Sequence, residues 1–530
     1  MTVLTGHDDH GFTMWTGCSA EVMSFRGGGT GRSPGPDLCG PSGVSHPTSQ
    51  ESPVSAQPVT EREPVLIRSA RDVTELVNSG AARGSHARMI VLLALGGIFL
   101  DAYDLTSLAY GITDIREQFQ LGPAGAGAVT ASISVGAIFG AWLGGYLVDR
   151  LGRYRVFMAD MLFFVVSALG CAVAPNAEVL VFFRFLMGFG VGMDIPVAMA
   201  FLAEFSRLRG RGSKGSRTAA WSPAWYVATS ACYVVIMALY FLLPDAHHDL
   251  LWRFTVGFGA VPAVVILLVR KKYMNESPSW AADQGDLERA AHILRRSYGV
   301  NAVVADDAEA KAPRTRQAGG LRDFARLFHR RYRSRTLQAM VIGLGQTFGY
   351  NAIAYGLPII IASLLGQGAL NTISASLVLN LVFAVTGGLL GIRLANSAGA
   401  WPMTVAGFAT QFVALVALAL IGKPSETAWV LAALFMLGAF MFAQASGPGA
   451  HFMSFASLSY PTSMRGTGIG FNQGVVRVGA TLSLFFFPVL SSALATGVFW
   501  VIALAPAMGL AALLVKRWEP VGYDADAAQG

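Results

Sequence analysis

Twelve apolar runs, each long enough to cross a lipid bilayer, dominate this chain. A helix needs roughly 20 apolar residues to span the hydrocarbon core. Such runs occur at 89–112, 123–148, 154–175, 177–204, 219–243, 250–270, 336–364, 369–392, 400–421, 426–456, 467–492 and 495–515. Lipid offers no partner to backbone N–H and C=O groups, so runs of this kind fold as helices. Composition points the same way. Charged residues make up 13% of the 530, about half the ~25% of soluble domains. The 60 glycines suit helices that approach closely in lipid. A soluble enzyme or nucleic-acid binder is disfavoured despite the net charge of +7. The expectation is an all-α membrane protein with twelve transmembrane helices.

One long interior polar stretch, 271–335, divides the runs six plus six. The expected organisation is a disordered polar tail at 1–85, a six-helix half at 86–270, a basic linker at 271–335, a second half at 336–517 and a short tail at 518–530. The first tail is too rich in Gly, Ser, Pro and Thr to bury a core. Its His7, Asp8, Asp9 and His10 are not read as a metal site, because a flexible His pair lacks supporting partners. No CxxC pair occurs, and Cys171 and Cys232 read as buried structural thiols. No metal or cofactor is expected.

Loop charges set the orientation. Arg150, Arg153, Arg155, the cluster from Arg207 to Arg217, the linker, Arg465, Lys516 and Arg517 fall on one side, against Arg116, Arg253 and Lys423 on the other. Positive loops stay inside, so both termini and the linker are expected in the cytoplasm, with the chain in the inner (plasma) membrane. Within the linker, Leu287, Ala291 and Leu294, then Leu321, Phe324 and Phe328, recur at helical spacing. Basic amphipathic helices of this kind are expected to rest on the anionic leaflet.

The two halves echo each other. GGYLVDRL at 144–151 recurs as GGLLGIRL at 387–394, Tyr103-Asp104 as Tyr350-Asn351, FLMGFG at 185–190 as FMLGAF at 435–440, and RGRG at 209–212 as RGTG at 465–468. Two pseudo-symmetric six-helix halves joined by a hinge are a transporter plan, with the solute bound between them at mid-membrane.

Ionisable residues inside spans cost about 2.5–3.5 kcal/mol on insertion scales, so each needs a reason. Asp101 and Asp104 lie three apart on one face of span one, Arg184 and Asp194 in span four, His451 in span ten and Arg477 in span eleven. A buried carboxylate opposite an arginine is ionised while paired and takes a proton when the pair parts. Asp104 opposite Arg184 is therefore the expected proton-coupling pair, with Asp101 and Asp194 as relays. Asp160 in span three reads as a solvated helix-end residue. Gln346, Tyr350, Asn351 and Tyr355 form a polar stripe on span seven, suited either to a hydroxylated solute or to interhelical bonding. Arg477 suits an organic anion or helix packing equally, and His451 joins it as a candidate binding residue. GFGVG at 188–192 lacks the strand and Lys-Ser/Thr of a phosphate loop and reads as close packing.

These residues resemble the major facilitator superfamily over about 89–517. Gly145 to Arg155 resembles its signature between spans two and three, and Asp149, opposing its own helix dipole, is expected to seek another helix N-terminus. Arg184 to Gly192 with Glu204, Trp252-Arg253, Glu276-Ser277-Pro278 and Gln346 to Asn351 resemble the sugar-porter branch. Asp101 to Asp104 and Asp194-Ile195-Pro196 resemble phosphate and aromatic-acid symporters. The resemblance implies a cytoplasmic gate from Asp149, Arg150, Arg153, Glu204 and Glu276, a sugar-binding Gln346 and Asn351, and a coupling pair Asp104 and Arg184. Ser279 stands where the branch has Arg, and Gly345 where it has a first Gln.

The expected function is proton-coupled symport of a small polar metabolite, a sugar or an organic acid, by alternating access. Its partners are the solute, protons and lipid; no nucleic acid is expected, and the chain is read as a monomer. A proton-antiport exporter is the nearest rival, but span five (219–243) lacks the glycines of such exporters. A non-transporting sensor would carry an output domain. A membrane enzyme would need clustered catalytic groups, and none is visible in the sequence.

Overall fold

A computed structural model describes residues 64–79, 87–206, 221–308, 321–366, 368–395, 397–460, 462–521 and 523. The tail motif His7 to His10, with Cys18 and Cys39, lies outside the described residues.

Among the described residues, twelve helical rods follow the twelve apolar runs. Spans one to six are Ala87–Gln118, Pro123–Leu151, Arg153–Ala172, Ala177–Ser206, Trp221–Leu242, and Leu251–Phe258 continued as Ala260–Tyr273. Spans seven to twelve are Arg333–Leu365, Ala369–Leu394, Ala400–Ile421, Thr427–Ser446 continued as Pro448–Leu458, Thr462–Leu494, and Val498–Val515. Nine apolar stretches, one running through spans eleven and twelve, are long enough to cross a bilayer on composition alone. Spans one and four, each with two buried charges, complete the set.

Side chains such as Leu169, Phe182, Leu420 and Val515 stand exposed around the rods, the face a lipid-solvated bundle presents. Inside, glycines set the closest crossing. A Cβ on Gly188 would sit 1.9 Å from the Ile133 carbonyl oxygen, and one on Gly136 2.0 Å from that of Phe185. The GFGVG run is thus a packing surface of span four against span two. Cys171 and Cys232 are buried free thiols.

Two elements differ from the reading above. Residues 64–79, placed in the disordered tail, form a strand Val65–Ile67 and a helix Ala70–Ser79. The strand pairs in parallel with Ala302–Val304 of the linker. Ile67 and Val73 are buried against Leu287, Leu294 and Ala302, so the tail borrows a core from the linker that its own composition lacks. Asp72 caps its helix by accepting from the backbone N–H groups of Arg68 (2.9 Å) and Ser69 (3.0 Å). These bonds, Arg68's foremost, hold its carboxyl below the usual carboxylate range.

The same packing corrects the membrane contact expected of the linker. In the helix Leu287–Tyr298, the apolar face of Leu287, Ala291 and Leu294 is covered by protein. In the helix Leu321–Leu327, Leu327 is fully buried and Phe324 and Phe328 lie against Phe471 of span eleven, Phe328 remaining 42% exposed, while the Leu321 side chain lies outside the described residues.

Candidate functional site

Asp104 of span one and Arg184 of span four are buried against each other, at 2% and 0% side-chain exposure. Arg184 Nη1 donates to Asp104 Oδ2 and also faces Met187 Sδ at 3.8 Å. The surroundings are apolar or weakly polar, with the Cys171 and Cys232 thiols within the field of Asp104. An ion pair in such a setting is costly to break without compensation, so a carboxylate that loses its guanidinium there is driven to take up a proton.

Asp101, three residues earlier on the same helix, is 6% exposed. The charges acting on it are Arg477 first, then Asp194, Asp104 and Arg270. Arg477 in turn feels Asp101 and Tyr355, so a cation of the second half faces an acid of the first.

Asp160 overturns its sequence reading. It is not a solvated helix end but 0% exposed, with Arg270 Nη1 at 3.0 Å from its Oδ1. Arg270 Nη2 lies 3.0 Å from Asp194 Oδ1, and its guanidinium covers the Phe157 ring at 3.3 Å from the centroid. Span six folds this arginine over the end of span three and shuts water out. Arg270 was missed because it heads the run Arg270-Lys271-Lys272, which looks like an ordinary charged loop.

Between the halves lies a cavity of about 10 Å³, lined by Thr106, Thr229, Tyr233, Tyr350, Tyr355 and Asn380 among others. That is room for about one water, too little for a solute. Tyr350 and Tyr355 of the expected stripe line it. Trp225 Nε1 of span five donates to the Tyr350 hydroxyl at 2.5 Å. Asn380 enters from a π-helical segment of span eight, Leu379–Val385. Its amide donates to the Ser376 carbonyl at 2.9 Å, while its buried Oδ1 has no partner among the described residues. Such segments often mark functional sites. Asn380, Thr106, Thr229 and Tyr233 were not singled out from sequence, since lone polar residues in apolar runs carry no spacing signal.

Gln346 and Asn351 are buried but do not line this cavity. Gln411 Nε2 donates to Gln444 Oε1 at 2.5 Å, Gln444 Nε2 to Gln346 Oε1 at 2.9 Å, and Gln346 Nε2 to the Thr347 hydroxyl. Asn351 Nδ2 donates to the Thr347 carbonyl at 2.8 Å. In this state the two amides bond within the second half. His451 is fully buried past the Gly447 break in span ten, and neither it nor Arg477 lines the cavity.

At the linker end, Glu276 caps span three. Its Oε1 accepts from the N–H groups of Arg153 (2.8 Å) and Tyr154 (3.2 Å), beside Gly152 at φ +92°. The second half repeats the device unannounced by sequence. Glu519 accepts from Ala400 N (3.0 Å) and Trp401 N (2.8 Å), beside Gly399 at φ +90°. Asp149, Arg150 and Glu204 sit on described helices, but their side chains lie outside the described residues.

Comparison with known proteins agrees with this architecture. Residues 89–525 match the sugar (and other) transporter family. The inner membrane metabolite transport protein YgcS of Escherichia coli (strain K12) is 28% identical over 404 residues, 76% of this chain and 84% of that protein. The glucose transporter GlcP of Staphylococcus epidermidis is 27% identical, over 80% of this chain and 92% of its own. A solved structure of the major facilitator superfamily proton:xylose symporter XylE aligns with a TM-score of 0.63 at 18% identity, covering 84% of this chain and 98% of that one. That likeness concerns the fold. The chain belongs to the sugar (and other) transporter family: it is a multi-pass membrane transporter with the twelve-helix major facilitator fold, and it moves a small solute rather than transforming one.

Proposed function

We propose that the chain is a proton-coupled symporter of a small hydroxylated metabolite, a sugar or sugar-like solute. The observation that carries this reading is the buried Asp104–Arg184 pair, one carboxylate and one guanidinium on separate helices of the same half. While paired, Asp104 stays ionised; when spans one and four shift, it takes a proton, and the return of Arg184 expels it. The solute would sit at the central cavity, where the hydroxyls of Thr106, Thr229, Tyr233, Tyr350 and Tyr355 and the amide of Asn380 both donate and accept. Gln346 and Asn351 would join them by exchanging their bonds within the second half for bonds to the solute. The glucose transporter among its relatives supports this solute class.

Asp101 and Asp194 would relay the proton, and Arg477 would draw Asp101 across the seam. Glu276 with Arg153, and Asp149, Arg150 and Glu204, would close the linker side. The chain would work as a monomer in the plasma membrane with both termini inside.

Proteoliposomes with an imposed pH gradient test the coupling, using labelled D-glucose and D-xylose as probes. Asp104→Asn is expected to abolish accumulation above equal concentrations while keeping solute exchange. Gradient-driven accumulation that survives the substitution rejects Asp104 as the coupling group.

A further inference from the structure

Spans three, four and six meet in a second charged cluster, which the Asp104–Arg184 pair does not use. Arg270 reaches Asp160 Oδ1 and Asp194 Oδ1 at 3.0 Å each, and also donates to the Phe157 carbonyl at 2.7 Å. Asp160 and Arg270 are 0% exposed and Asp194 3%. Both carboxyl groups thus lie on the one guanidinium, and Asp160 Oδ2 has no hydrogen-bond partner among the described residues. Gly97 of span one closes the remaining side: a Cβ there would lie 1.9 Å from Asp194 Oδ2.

Charge counting gives this contact its meaning. Arg184 pairs with Asp104, and the ion pairs of Asp160 and Asp194 both run to Arg270. Among the described residues, Arg270 is the one cation within 4 Å of these two carboxylates. Two ionised carboxylates on one guanidinium would leave an unpaired negative charge where no water reaches. Two carboxyl groups gathered on one guanidinium relieve that charge by holding one proton between them.

We propose that Asp160 and Asp194 share one proton beneath the Arg270 guanidinium, forming a second protonation site on the linker side of the coupling pair. Arg270 is its positioning residue, holding the carboxyl groups of spans three and four together. The groups facing it are Asp101 from span one and, beyond that, Arg477 from span eleven. The part it plays in transport rests on the symport reading. As Arg184 returns to Asp104, the expelled proton passes by Asp101 to the pair, and the proton already there leaves to water at the linker end. One proton enters and one departs, so the cluster keeps its charge. Exposed Lys271 and Lys272 adjoin Arg270, so movement at this end of span six is what admits the water.

Protonation can be tested without any solute. Infrared difference spectra of the full-length protein in lipid vesicles, recorded at neutral pH in H₂O and D₂O, report the C=O stretch of protonated carboxylic acids. The wild type is expected to show such a band. Asp160→Asn and Asp194→Asn are each expected to remove it, because one carboxylate then faces one guanidinium, and Asp104→Asn to leave it. A wild-type spectrum without the band overturns the proposal, and so does a band kept at full height in both variants. If one variant fails to fold, the wild type and the other still decide. Loss of the band with intact gradient-driven uptake in Asp104→Asn would uphold the shared proton and reject the coupling reading, so the two failures are distinguishable.

Discussion

Asp104, Asp160, Arg184, Asp194 and Arg270 are charged side chains buried at single positions inside the bundle. Asp104 and Arg184 stand among apolar neighbours, where lipid makes any ionisable group conspicuous. Asp160 sits nearer a span end, where water is the usual partner, and only the folded chain reveals the arginine that displaces it. Gly97 tests how tightly this region is built. A methyl there would strike a carboxylate already held by Arg270, with the span-one backbone behind it. Gly97→Ala is expected to cost about 1–3 kcal/mol, the usual range for overpacking, and to lower the melting temperature by several degrees. Gly470→Ala meets nothing within 4 Å and should melt with the wild type. Equal melting of the two variants in a thermal size-exclusion assay would show that Asp194 can move aside.

Helices were the most legible level, because the ~20-residue thickness rule acts on each apolar run alone. Their interruptions were not. The π segment Leu379–Val385 leaves no mark in its apolar run, and the break at Gly447, where Pro448 opens the next helix without an N–H to give, falls inside one. Amphipathic spacing in Leu287–Tyr298 correctly marked an apolar face but did not say what covers it; a protein core of Ala281, Ala282 and Ala302, joined by Ile67 and Val73 of the tail, does. The caps of Glu276 and Glu519 were invisible for a related reason, since each carboxylate reaches a helix start more than 100 residues away. Removing an N-terminal cap costs about 0.5–2 kcal/mol, and a carboxylate also answers the helix dipole. Glu276→Ala is therefore expected to speed amide exchange at Arg153 and Tyr154 while sparing Ala400 and Trp401, with Glu519→Ala doing the reverse. Hydrogen exchange by mass spectrometry resolves the two ends. Uniform protection in both variants would reduce these carboxylates to surface groups.

At the scale of the whole membrane bundle, the halves touch along seams that must part for transport. The Thr130 hydroxyl of span two donates to the Leu484 carbonyl of span eleven at 2.8 Å. Near the other end, the Ser222 hydroxyl of span five donates to the Ala445 carbonyl of span ten at 2.9 Å. Trp225 and Tyr350 join the halves between them, beside a cavity of about 10 Å³. A hexose cannot enter that volume, so alternating access requires at least one seam to open in each cycle. Thr130 lies near the start of span two and Leu484 near the end of span eleven, so their contact closes the side away from the linker. Joining Thr130→Cys to Leu484→Cys with a short thiol cross-linker, with Cys18→Ser and Cys39→Ser to silence the tail, is expected to stop solute exchange. A cleavable linker should restore it on reduction. Exchange at the full rate in the cross-linked protein would mean that the solute passes without this seam opening, and the rocking of two halves about a central site would have to be abandoned.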